Sequence, residues 1–143
     1  DADGLWAARF FWTLEYYGDD KVRVLNGGLK KWRQEQRDLV KDLPQLAKAK
    51  FTANPQPNRL ATKDQVLQRI GSSGTAIIAT VAADEYTGQK VLSKFGGHIP
   101  GALNIDWVKN LIAGDVPIMK QAADLDKMYR DAGVTRDMEI IVY

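Results

Sequence analysis

The stretch Gly71-Ser72-Ser73-Gly74-Thr75-Ala76-Ile77-Ile78-Ala79 decides the fold. Gly71 to Gly74 read as a turn, and Ala76-Ile77-Ile78-Ala79 follow as an unbroken apolar run with no polar residue to face water. A short run of this kind fits a strand covered on both faces, the situation of a parallel sheet. Upstream, Thr62-Lys63-Asp64-Gln65 has the spacing of a capping box, in which a Thr hydroxyl and a Gln amide satisfy free N–H groups at a helix start. The helix it opens carries Val66, Leu67 and Ile70 and stops near Gly71. Downstream come a short polar helix over 82–86, a strand over 102–105 after Pro100-Gly101, and a helix over 121–132 with Leu125, Met128 and Tyr129 on one face. Gly133 stops that helix, and Glu139-Ile140-Ile141-Val142-Tyr143 form a second fully apolar strand. Strands alternating with helices predict an α/β fold, a parallel sheet flanked by helices on both faces.

The first third of the chain reads differently. Residues 4–17, GLWAARFFWTLEYY, predict a helix that Gly18 stops. Its apolar stripe is so wide that burial on most of its girth is expected. Trp6, Phe10, Phe11, Trp12, Tyr16 and Tyr17 are nevertheless more aromatics than one face can bury, so part of the set is a candidate interface. Val22–Leu25 read as a short strand, Asn26-Gly27-Gly28 as a sharp turn, and residues 29–36 as a helix with Leu29 and Trp32 inward. Residues 38–60 hold Pro44, Pro55 and Pro57 among Asn and Lys, and read as a linker between domains. No Met opens the sequence, which starts at Asp1, so a piece of a longer or processed protein is expected.

Composition narrows the chemistry. In 143 residues, 45% are hydrophobic and 27% charged, which argues against disorder. Twenty Lys and Arg against eighteen Asp and Glu give a net charge of +2, too small to point to nucleic acid or a membrane as partner. The nine basic residues from Lys21 to Lys50 stand against Glu35, Asp38 and Asp42 and read as a solvated face. With no Cys, the chain has no disulfide, thiolate metal site or cysteine nucleophile, and with His98 as its single His it has no multi-His zinc site. No metal or other cofactor is expected. The compartment stays open: a soluble protein, cytoplasmic or periplasmic.

Gly96-Gly97-His98-Ile99-Pro100-Gly101-Ala102 is the most distinctive segment. Its glycines and proline fix a tight loop entering a strand, and His98 reads first as a ring that holds the loop backbone, with a catalytic role as the rival. Asn26-Gly27-Gly28 lacks the spaced glycines of a nucleotide loop and reads as a plain turn. Asp84 and Glu85 are sequence neighbours, point in different directions on a helix, and read as solvated or capping groups.

Taken together, several segments resemble the rhodanese family of thiosulfate and 3-mercaptopyruvate sulfurtransferases. They are Ala8-Arg9-Phe10-Phe11-Trp12, Val22-Arg23-Val24-Leu25-Asn26-Gly27-Gly28-Leu29-Lys30-Lys31-Trp32, Asp84-Glu85-Tyr86-Thr87-Gly88, Gly97-His98-Ile99-Pro100-Gly101-Ala102-Leu103-Asn104 and Ile140-Ile141-Val142-Tyr143. The resemblance implies a rhodanese-like parallel sheet and a reaction that moves sulfane sulfur from a small donor to a thiol or cyanide acceptor through a cysteine persulfide. The family's last elements come first here, and its Ile-Val-Tyr strand comes last. A tandem protein is implied: residues 1–37 end a first domain, 38–60 link, and 61–143 begin a second. The alternative is one permuted domain in which strand 22–25 lies beside strand 139–143.

The family's nucleophilic cysteine follows the Ile-Val-Tyr strand, so the resemblance assigns no catalytic residue within this chain, and its substrate-binding residues are unassigned. It does mark Ala79, Val81, Glu85 and Tyr143 as positions near the family's active site, and His98, Pro100 and Gly101 as its structural loop. The strand end that is usually Asp-x-Arg reads Ala79-Thr80-Val81, followed by Ala82, so an orienting ion pair is missing. The expectation is a sulfurtransferase segment that is inactive alone and works with the remainder of a longer protein. The alternative is a rhodanese-like module used for protein contact, with helix 4–17 as its surface.

Overall fold

The structure is a computed structural model that describes residues 4–143; Asp1, from which the chain's opening was read, lies outside them. In chain order the elements are α1 (Leu5–Tyr16), α2 (Gly28–Gln34), α3 (Lys63–Arg69), β1 (Thr75–Ala79), α4 (Ala83–Tyr86) and β2 (Leu103–Asn104). They continue with β3 (Leu111–Ile112), β4 (Ile118–Met119), α5 (Ala122–Asp131) and β5 (Glu139–Val142). The chain forms two compact units: the residues up to Leu60 with Ala113–Ile118, and Ala61–Ile112 with Met119–Tyr143.

The second unit is built on a parallel sheet of order β2-β1-β5. Central β1 is buried from Ala76 to Ala79, as its apolar run predicts. Alternation sends its side chains to two cores. Ala76 and Ile78 pack with Ile105 and Val134, against which Met128 and Tyr129 of α5 lie. On the opposite face Ile77 packs with Ala102 and Ile141, covered by Val66 of α3 and by Ile99. Helices therefore cover both faces of the sheet. The predicted capping box forms: Gln65 N donates to Thr62 Oγ1 at 3.3 Å and Thr62 N to Gln65 Oε1 at 2.7 Å. Gly133, at φ +85°, ends α5 where an L side chain would be strained.

β5 forms where the second apolar run predicts a strand, without the burial of β1. It is an edge strand with only Ile141 buried; Ile140 is 51% and Val142 63% exposed. The register sets Ile140 beside Ala76 and Val142 beside Ile78. On that face α5 covers the middle of the sheet and leaves this margin bare. At its start β5 is tied down by Glu139, whose carboxylate accepts from Arg69 Nε at 2.6 Å and Thr75 Oγ1 at 3.2 Å. The hydrogen bond from Arg69 holds the Glu139 carboxyl below its ordinary value. A depressed carboxyl favours the fold above its unfolded pKa and loses that contribution as pH falls through the folded value, so this tie persists at neutral pH and dissolves in acid.

In the first unit, α1 forms over the expected residues, but its burial does not follow. None of its residues is buried, and Trp6 is 72% and Phe10 63% exposed. The segment from Asn54 to Arg59 folds back on it: Asn54 N donates to Tyr17 O, Gln56 N to Tyr16 O, and Trp12 Nε1 to Arg59 O. One strap covers one side of the helix, so Phe11, Trp12 and Tyr16 are partly buried while Trp6, Phe10 and Tyr17 stay exposed. Val22–Leu25 is not a strand and has no ladder partner among the described residues. β propensity reflects packing on a sheet, and no strand lies beside it to pair with. Leu29, expected inward on α2, is exposed, while Trp32 is half-buried and donates its Nε1 hydrogen to Asp38 O at 2.9 Å. Asn26-Gly27-Gly28 is a tight turn in which Gly28 N donates to Leu25 O. A Cβ on Gly27, at φ +84°, would sit 2.7 Å from Lys31 Cβ.

Candidate active-site edge of the sheet

Strands β1, β2 and β5 run parallel, so their carboxyl ends share one edge of the sheet. In open α/β sheets that edge is where ligands bind. Tyr143, the residue after β5, is fixed there by all its polar groups. Its N–H donates to Ile78 O at 3.0 Å, and its carbonyl accepts from both Thr80 N and Thr80 Oγ1 at 2.9 Å. Its phenol oxygen accepts from Ile99 N, also at 2.9 Å. One residue thus joins the ends of β1 and β5 to the loop that carries His98.

The end of β1 is closed from the other side by β2. Asn104 Nδ2 donates to Ala79 O at 3.3 Å and to Val81 O at 2.8 Å. Ile105 N and Trp107 N donate to Ala79 O and Thr80 O, both at 3.1 Å. The carbonyls that leave the ladder are therefore satisfied although Ala79-Thr80-Val81 carries no charge. α4 starts directly afterwards, with Asp84 Oδ1 accepting from Glu85 N at 2.8 Å.

His98 lies flat on Tyr86, with ring centroids 3.6 Å apart and planes 11° from parallel. Its Nδ1 is 2.8 Å from Tyr86 O, an arrangement in which Nδ1–H donates to the carbonyl. The Tyr86 hydroxyl donates to Ala102 O at 2.7 Å, beyond the turn at Pro100-Gly101. Tyr86 therefore grips both ends of the segment from His98 to Ala102. Gly101 stands at φ +79°, a conformation that disfavours any side chain there. Gly88 closes the approach to this segment: a Cβ on it would meet Gly97 N at 3.0 Å.

Of the residues singled out from sequence, the structure brings together Ala79, Val81 and Tyr143 at the sheet edge, with the loop of His98, Pro100 and Gly101 beside them. Glu85 stands on α4, and no hydrogen bond ties its carboxylate to Tyr143 or to the end of β1 among the described residues. Thr80, Asn104 and Tyr86 were read only as members of longer motifs, without a role of their own. Thr80 and Asn104 act through polar groups at strand ends, a signal that an apolar pattern hides.

The arrangement sets limits on chemistry. His98 Nδ1 is committed to the Tyr86 carbonyl, and the Thr80 hydroxyl to the carbonyl of Tyr143. No group of three or more His, Asp or Glu side chains among the described residues could hold a metal ion. Among the described residues no helix is long and apolar enough to cross a membrane.

Comparison with known proteins gives these features a context. No family model matches the chain. The whole chain aligns with a thiosulfate sulfurtransferase of Azotobacter vinelandii at 34% identity, covering 52% of that protein. It aligns equally fully with a thiosulfate sulfurtransferase of Pseudomonas aeruginosa at 30% identity, again over 52% of that protein. The crystal structure of Escherichia coli SseA, described as showing the "rhodanese" fold of 3-mercaptopyruvate sulfotransferases, superposes with a TM-score of 0.80 at 29% identity, over 98% of this chain and 52% of SseA. The chain spans about half the length of the curated relatives it matches. It is a homologue of the rhodanese-family sulfurtransferases and has the rhodanese fold.

Proposed function

We propose that this chain is the scaffold of a rhodanese-type sulfurtransferase, a protein that takes sulfane sulfur from thiosulfate or 3-mercaptopyruvate and passes it to a thiophilic acceptor such as cyanide or a thiol. The observation that supports this most is the edge built by Tyr143, Thr80 and Asn104, in a chain homologous along its whole length to thiosulfate sulfurtransferases. The relay needs a thiolate that attacks the donor and keeps its outer sulfur as a persulfide. These 143 residues contain no cysteine, so the thiol comes from protein beyond them, and this remainder is the proposed partner. In this reading residues 1–37 close a first rhodanese-like domain, 38–60 link, and 61–143 open a second, in an aqueous compartment, cytoplasm or periplasm. The test is a thiosulfate:cyanide assay on the purified 143-residue chain. Thiocyanate forms at the uncatalysed rate; turnover at an ordinary enzymatic rate, on the order of 1 s⁻¹ or more, contradicts the proposal.

The exposed aromatics of α1 favour a second reading, a non-catalytic module for protein contact. In that case Trp6→Ser and Phe10→Ser abolish association with a partner while thermal stability changes by less than about 0.5 kcal/mol, as expected for exposed positions. Binding assays paired with thermal melts check this. A large loss of stability would place the two rings in a core instead.

A further inference from the structure

We draw no further inference here: the strongest candidate, the open edge of β5 with Ile140 and Val142 exposed along it, is an unpartnered apolar strand, and nothing in the structure shows what covers it.

Discussion

Ile78→Ala destabilises the second unit by about 2–5 kcal/mol, the range for a large aliphatic side chain removed from a packed interior. Ile78 is the largest fully buried side chain described, 1% exposed, on the central strand of the sheet. It packs with Ala76, Ile105 and Val134, and Met128 and Tyr129 of α5 rest on that cluster. Shortening it removes apolar contacts and opens a hole that strand and helix cannot both close, since β1 is hydrogen-bonded on each side. Small domains have a stability of only about 5–15 kcal/mol, so the variant comes close to unfolding at ambient temperature. Urea denaturation measures the effect. Ile140→Ala, on the bare margin of β5, serves as the contrast and stays within about 0.5 kcal/mol of the parent. A loss below about 1 kcal/mol for Ile78→Ala would mean that the core is not where the fold places it.

The second large effect belongs to Tyr86. Its ring carries His98, its carbonyl meets His98 Nδ1, and its hydroxyl donates to Ala102 O. Tyr86→Phe removes one hydrogen bond and costs about 1 kcal/mol. Tyr86→Ala also removes the stacking surface and the packing of a half-buried ring, and costs about 3 kcal/mol. The loss is local before it is global. Amide exchange at Ala102, whose N–H donates to Ile99 O, accelerates strongly in the Ala variant and modestly in the Phe variant. Equal behaviour of the two would show that the ring does not hold the loop, leaving only its hydroxyl with a role.

These two residues also show how far the sequence could be read. Ile78 was legible because four apolar residues in a row between turn signals leave no polar face, and the sheet buries them on both sides. The capping box at Thr62 and Gln65 was legible for a similar reason, since both partners lie within one turn. Burial was misread where it depends on a distant neighbour. The stripe of α1 resembles that of a core helix, yet a single strap lies on it, and Val22–Leu25 has strand composition without a strand beside it. β1 and β5 are both short apolar runs in sequence, and the place of β5 at the sheet edge leaves Ile140 and Val142 exposed.

The site was legible as a family pattern more than as physics. His98, Pro100 and Gly101 stood out by their types and spacing, and Tyr143 by the family resemblance that sets the end of β5 near the active site. That the phenol of Tyr143 meets the N–H of Ile99, 44 residues away, follows only from the parallel crossover that sets strand end and loop side by side. Asn104 was hidden for the same reason: its amide donates to the carbonyls of Ala79 and Val81, and nothing in the short motif around it announces an acceptor on another strand.

The central claim is that the rhodanese scaffold is here without its sulfur-carrying atom, and covalent labelling tests it most directly. The chain is incubated with thiosulfate labelled in its outer sulfur, desalted and treated with cyanide. A persulfide would keep the label through desalting, release sulfite, and yield labelled thiocyanate with cyanide. The 143-residue chain is expected to retain no label and to release none. Label held by the chain in near-stoichiometric amount and discharged by cyanide would contradict the account, because it would reveal a sulfur carrier among residues that include no cysteine.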